Sequence, residues 1–265
     1  MALVFFPDLR LNAELTGPVD GAPVVLLHAH GTQLRLWDPV VAHLHASGRR
    51  YRILALDLRG HGASDTPPGP YAMGALIRDA ERVMDHFGLR DAVVVGLCLG
   101  GMIAQGLATK RLDLVRAMVL SNTAARIGIA SHWQARIDAV RAGGMEAIVP
   151  QTLDRWFGRR WRDLPQVAQA HAMLLATPPE GWMAAAAAIA GTDFYTPTAA
   201  LTLPTLVLAG VNDGATPPDL VKETADLILG SRFALIRGAG HLPMIDQPDA
   251  YDTELATFLE SIGHG

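Results

Sequence analysis

The sequence is nearly without cysteine. Cys98 is the only one among 265 residues. No intrachain disulfide can form, and a structural zinc site built from several thiolates is excluded. A chain without disulfides suits a reducing compartment. Charge is also sparse: 18% of residues are charged, 22 basic against 26 acidic, for a formal net charge of −4. That balance offers no electrostatic footprint for nucleic acid or an anionic membrane. Long apolar runs are missing too. The longest, Trp182 to Ala190, falls far short of the roughly 20 residues that a bilayer span needs. The opening Met1-Ala-Leu-Val-Phe-Phe-Pro has no basic region and no apolar stretch before a cleavage site, so no signal peptide is expected. These absences lead to the expectation of a soluble, cytoplasmic protein with neither a nucleic-acid nor a membrane partner. No repeat recurs at solenoid periods.

What is present is core-forming material. Half the residues are hydrophobic, which argues against disorder. A chain of this length buries about three-quarters of its unfolded surface. Short β-like runs alternate with longer helical ones. Val24–His28, Arg52–Asp57, Ala92–Gly96, Ala117–Ser121 and Thr205–Ala209 are continuous and branched, as in parallel strands covered on both faces. Between Tyr71 and Phe87, Met73, Leu76, Ile77, Ala80, Val83, Met84 and Phe87 recur at helical spacing. Gly88 is placed to end that helix. Further helices are predicted at Leu99–Lys110, Pro217–Leu229 and Tyr251–Ile262.

Alternating strands and helices imply an α/β fold with a mostly parallel, doubly wound sheet. The alternation stops between about Ala124 and Ala200. That stretch holds Trp133, Trp156, Trp161 and Trp182, four of the five tryptophans, and no convincing buried strand. The expected organisation is a core of residues 1–123 and 201–265, with a helical cap inserted at 124–200.

Chemistry gathers at strand ends. Gly96-Leu-Cys98-Leu-Gly100-Gly lies between a buried strand and a helix, the setting of a nucleophile elbow. The turn is too sharp for side chains at 96 and 100. It holds Cys98 over a helix N-terminus, whose partial positive charge favours a thiolate or a developing oxyanion. Asp213 follows the Thr205–Ala209 strand, before Pro217. His241 lies in the glycine-flanked Gly238-Ala-Gly-His241 loop. Nucleophile, acid and histidine therefore occur in the chain order of a hydrolytic triad.

The loop His28-Ala-His30-Gly-Thr32 is placed to give one oxyanion donor, assigned to the His30 amide, and Leu99 gives the other. Asp57-Leu-Arg59-Gly-His61-Gly-Ala-Ser-Asp65 is read as an architectural turn. Arg126, Arg136 and Arg155 are candidates to meet a substrate carboxylate, with surface solvation as the competing account. Trp37 and Trp133 either wall the pocket or pack the core.

With these residues in place, the chain resembles the α/β-hydrolase superfamily and, more narrowly, the 3-oxoadipate enol-lactonases of the β-ketoadipate pathway of aromatic catabolism. The narrower likeness rests on Gly31-Thr-Gln-Leu-Arg-Leu-Trp37, the Asp57–Tyr71 stretch, Gly100–Gly106, Ser121–Gly128, Trp133 with Arg136, and Arg155-Trp-Phe. The resemblance implies an α/β-hydrolase fold. It also implies a carboxylic ester hydrolase that opens an enol-lactone through an acyl-enzyme, with no metal and no organic cofactor.

Two positions depart from the family pattern. Cys98 stands where those lactonases usually have serine, and His28-Ala-His30-Gly31 replaces an Asn-Ser-Leu-Gly type of turn. Cysteine at the elbow is also found in dienelactone hydrolases. A native thiol enzyme and a serine lactonase whose nucleophile was replaced both stay open. So do a general carboxylesterase, thioesterase or perhydrolase, and a binding protein on the same fold. The implied partner is a small lactone or ester, and a homo-oligomer is compatible with the sequence.

Overall fold

The computed structural model describes residues 2–157, 165 and 167–265. Trp161, counted above among the cap tryptophans, lies outside the described residues. Eight strands form one sheet: β1 (Ala2–Phe5), β2 (Arg10–Thr16), β3 (Ala22–Leu27), β4 (Tyr51–Leu56), β5 (Ala92–Leu97), β6 (Val115–Ser121), β7 (Thr205–Gly210) and β8 (Arg232–Ile236). Their order is β1-β2-β4-β3-β5-β6-β7-β8. Strands β4, β3, β5, β6, β7 and β8 run parallel, while β1 and β2 are antiparallel additions at one edge. Val24 to Leu27 and Val93 to Val95 are wholly buried. Complete burial of such side chains contributes about 1.5–3 kcal/mol each relative to exposure.

The first helices are α1 (Asp38–Ala46), α2 (Met73–His86) and α3 (Leu99–Lys110). Helix α2 buries the apolar stripe read from the sequence, together with Asp79. That carboxylate is paired with Arg59, whose Nη2 lies 2.7 Å away. Among the described residues between β6 and β7 there are helices and no strand: α4 (Ala130–Gly143), α5 (Val149–Phe157), α6 (Val167–Ala176), α7 (Pro179–Ala190) and α8 (Tyr195–Ala199). Helices α9 (Pro218–Leu227), α10 (Pro243–Asp246) and α11 (Pro248–Ser261) complete the chain.

Three strands, β1, β2 and β8, escape the sequence pattern. In β8 only Ile236 is fully buried. Strand β1 at the sheet edge is apolar but only four residues long, with Leu3 and Phe5 exposed, and β2 alternates polar with apolar residues.

Strand order places the functional loops. Sequential strands diverge from β3, with β4 on one side and β5 on the other. A crevice opens at such a switch point, beyond the carboxyl ends of the strands. The loops after β3, β5, β7 and β8 all leave from that edge. They carry His30, Cys98, Asp213 and His241 respectively.

Candidate active site

Cys98 is the hinge between β5 and α3. Its φ is +53° and ψ −111°, a conformation that costs a non-glycine residue of order 1–3 kcal/mol. The neighbours are fitted to it. A Cβ at Gly100 would lie 2.1 Å from the Leu27 carbonyl oxygen, and one at Gly96 would lie 2.3 Å from the Gly100 oxygen. Only glycine permits this packing. The Thr123 hydroxyl donates to the Cys98 carbonyl at 2.6 Å and anchors the turn.

His241 and Asp213 are buried together. The His241 Nδ1–H donates to Asp213 Oδ2 at 2.8 Å, and the imidazole lines the same cavity as Cys98. Cys98 and the His241–Asp213 pair thus meet at one cavity. Four further bonds hold the carboxylate. Asn122 Nδ2 and Thr216 Oγ1 donate to Oδ2 at 2.8 and 2.7 Å. The Ala215 and Thr216 amides donate to Oδ1 at 2.7 and 3.0 Å. Burial raises the Asp213 pKa, but the charge of His241 and these bonds outweigh it and hold the carboxyl below its ordinary range. Burial also disfavours the His241 cation. The negative charges of Asp213 and Cys98 override that and push its pKa up to about 10.

His30 lies in the loop after β3, and Leu99 follows Cys98. Leu99 is the first residue of α3, so its N–H has no intrahelical acceptor. The neighbouring Gly31 amide is already committed, donating to His61 Nε2 at 3.1 Å. The His30 side chain does not point to solvent. Its Nε2 bonds the Trp182 carbonyl at 2.9 Å, and its ring lies 4.5 Å from that of Trp182. Burial holds His30 well below the ordinary histidine range, and burial pushes His61 to about 3 and His28 to about 4. All three are neutral framework at physiological pH. In the Asp57–Asp65 turn, Asp65 pairs with Arg10 at 2.7 Å and Arg59 with Asp79, so those side chains are architectural.

A cavity of about 220 Å³ opens onto Cys98 and His241, walled by Trp133, Arg136, Thr152, Arg155, Trp156 and Trp182 of the helices between β6 and β7. The Arg136 guanidinium stacks over Trp133 at 4.5 Å and Trp182 at 5.4 Å. Neither Arg136 nor Arg155 has an acidic partner among the described residues. Arg136 Nε, Arg155 Nη2 and Thr152 Oγ1 are buried without a hydrogen bond. Burial and the charge of Arg155 push the Arg136 pKa down to about 9, and burial lowers Arg155 as well.

Two expected pocket residues lie elsewhere. Trp37 is fully buried in the core, 6.4 Å from the Tyr251 ring, because its indole fills space beside α11. Arg126 points outward, half exposed, drawn 3.7 Å from Asp193. Conversely, Asn122, Thr216 and Trp156 were missed. Asn122 has a left-handed φ of +45°, and asparagine after a strand is a weak sequence signal for that conformation. Among the described residues no cluster of three metal-ligating side chains occurs, and no helix is long and apolar enough to cross a membrane.

The strained elbow, the acid after β7 and the histidine after β8 define a hydrolase of the α/β type. The chain matches the α/β-hydrolase fold family over residues 22–248 and belongs to it. It is 30% identical over 247 residues to 3-oxoadipate enol-lactonase 2 of Acinetobacter baylyi, covering 92% of this chain and 91% of that one. Among solved structures, the enol-lactonase from Burkholderia xenovorans superposes with a TM-score of 0.92 at 31% identity, covering 98% of this chain and all of that one. A thermophilic esterase from Thermogutta terrifontis, solved with malate bound, superposes with a TM-score of 0.88 at 31% identity, covering 97% and 95%. The relatives support a carboxylic ester hydrolase.

Proposed function

We propose that this protein opens a small carboxylate-bearing enol-lactone, with 3-oxoadipate enol-lactone as the substrate, and that Cys98, His241 and Asp213 carry the reaction. The observation that carries the substrate class is the pair of guanidinium groups, Arg136 and Arg155, that have no acidic partner among the described residues in the cavity that holds Cys98. Buried unpaired cations are costly, and a substrate carboxylate supplies the missing charge. The enol-lactonase relatives point to the same substrate.

In this mechanism Asp213 orients His241, which holds Cys98 as a thiolate. Sulfur attacks the lactone carbonyl, and the His30 and Leu99 amides receive the negative charge that develops on its oxygen. The ring C–O bond breaks, and the departing enolate takes a proton from His241. The enol tautomerises to the ketone. Water, deprotonated by His241, attacks the thioester. The C–S bond breaks, the free acid leaves, and the thiolate–imidazolium pair is restored.

Thiolate is itself a good leaving group, so collapse toward product needs a leaving group at least as good. An enolate meets that need better than an alkoxide does. Activated aryl esters and thioesters meet it too, and the esterase relative favours them as the second reading.

The test is turnover of 3-oxoadipate enol-lactone by this chain and its Cys98→Ser variant. Rapid turnover that serine impairs supports a native thiol enzyme. Slow turnover that serine restores identifies a serine lactonase with a replaced nucleophile. No turnover by either, with aryl esters or thioesters consumed, overturns the lactone reading.

A further inference from the structure

The last turn of α5 rests on the two loops that carry the acid and the histidine. The Arg155 carbonyl accepts a bond from the Gly214 amide at 2.9 Å, one residue beyond Asp213. The Trp156 carbonyl accepts from the His241 amide at 2.7 Å. Both carbonyls belong to the last turn of the described helix. The approach is so close that a Cβ at Gly240 would lie 1.9 Å from the Trp156 oxygen. The Trp156 indole then lies nearly parallel to the His241 imidazole, at 20° and 6.1 Å between centroids, and also lines the cavity.

From these contacts we infer that Trp156 is a positioning residue for His241. Its carbonyl tethers the loop, and its indole fixes the plane of the imidazole and covers the face turned to the cavity. The inference rests on the triad proposed above. Its physical basis is a missing constraint. His241 sits on a glycine-flanked loop, and the bond to Asp213 restrains only Nδ1. A ring held at one nitrogen can still swing about that bond and carry its second nitrogen away from sulfur. The indole blocks the swing. A displacement of about 1 Å costs about 10²-fold in rate.

The test compares Trp156→Ala, Trp156→Leu and Trp156→Phe with the wild type. One readout is hydrolysis of p-nitrophenyl acetate, a neutral ester that makes no demand on the arginines. The other is the rate of Cys98 alkylation by iodoacetamide at neutral pH, which reports the thiolate that His241 sustains. The alanine and leucine variants are expected to lose about 30- to 100-fold in kcat, with KM within about threefold. Their alkylation is expected to slow about tenfold even though the cavity is wider. Phenylalanine, which keeps a flat ring on the imidazole, is expected to restore both to within about threefold.

Wild-type kcat and alkylation in Trp156→Ala would overturn the inference. So would equal losses in the phenylalanine and alanine variants. Should the alanine variant fail to fold, leucine against phenylalanine makes the same comparison. The two proposals fail separately. A wild type that alkylates rapidly but ignores the enol-lactone refutes the substrate. A leucine variant that alkylates as the wild type does refutes the positioning role.

Discussion

Arg136 is expected to cost the protein stability while serving its substrate, so Arg136→Met should move stability and activity in opposite directions. The guanidinium is largely buried, without an acidic partner among the described residues, and its pKa is pushed down to about 9. A depressed base binds fewer protons when folded than when unfolded. Stability therefore rises as pH climbs above about 9 and is at its lowest below 9. At about 1.4 kcal/mol per pKa unit, the penalty at neutral pH is at most about 5 kcal/mol. Stacking on Trp133 and Trp182 returns about 1 kcal/mol each, leaving about 3 kcal/mol. Methionine has similar length and fills the same slot without charge.

Thermal unfolding at pH 7.5 should therefore show Arg136→Met melting at least about 5 °C higher. The same variant should lose about 10²- to 10³-fold in kcat/KM on the carboxylated lactone, the cost of removing one partner of a desolvated charge pair. On neutral phenyl acetate it should stay within about threefold. A lower melting temperature, or equal losses on both substrates, would show that Arg136 is structural and refute the argument.

Asn122→Ala removes the donor to Asp213 and to the Gly240 carbonyl and leaves alanine at a left-handed φ. It should lower unfolding stability by about 1–3 kcal/mol and reduce kcat about tenfold, and a variant with wild-type kcat would show that the other bonds to Asp213 suffice. Asp246 accepts the Gly240 amide at 2.6 Å, yet its pKa is pushed up to about 6 by burial. Its folded pKa exceeds its unfolded value, so its contribution to stability falls as pH rises from about 4 to 6 and stays low above that. Asp246→Asn keeps the acceptor and removes the charge. It should stabilise the protein by about 1–2 kcal/mol at pH 7.5 and hardly at all at pH 4, and pH-independent melts of the variant relative to wild type would contradict this.

The sequence displays some of this structure openly. Continuous apolar runs locate β3 to β7, because strands covered on both faces need such side chains. Strand β8, Arg232-Phe-Ala-Leu-Ile236, is half exposed, so nothing in its pattern separates it from a loop. Gly96 and Gly100 advertise the elbow because their absent side chains are what permit it. Cys98, Asp213 and His241 occur in an order that marks them. Asn122, Thr216 and Trp156 act only through contacts made across the fold, and local sequence does not encode those. Trp37 and Trp133 look alike in the sequence. Which of them faces the cavity depends on packing decided far away, by α11 for one and by Arg136 for the other. The arginines divide for the same reason: Arg126 has Asp193 within reach at the surface, while Arg136 and Arg155 face a cavity with no acid among the described residues of its walls.

The end of α5 also bears on how such a protein can diverge. Arg155 faces the cavity where a substrate would bind, while the carbonyls of residues 155 and 156 bond the loops of Asp213 and His241. An exchange of this segment for a relative's would replace the wall of the pocket and the brace of the reacting groups at once. Selection for a new substrate would then work on reactivity in the same step. Many chimeras are expected to fold yet stay inert until those two backbone contacts are recovered.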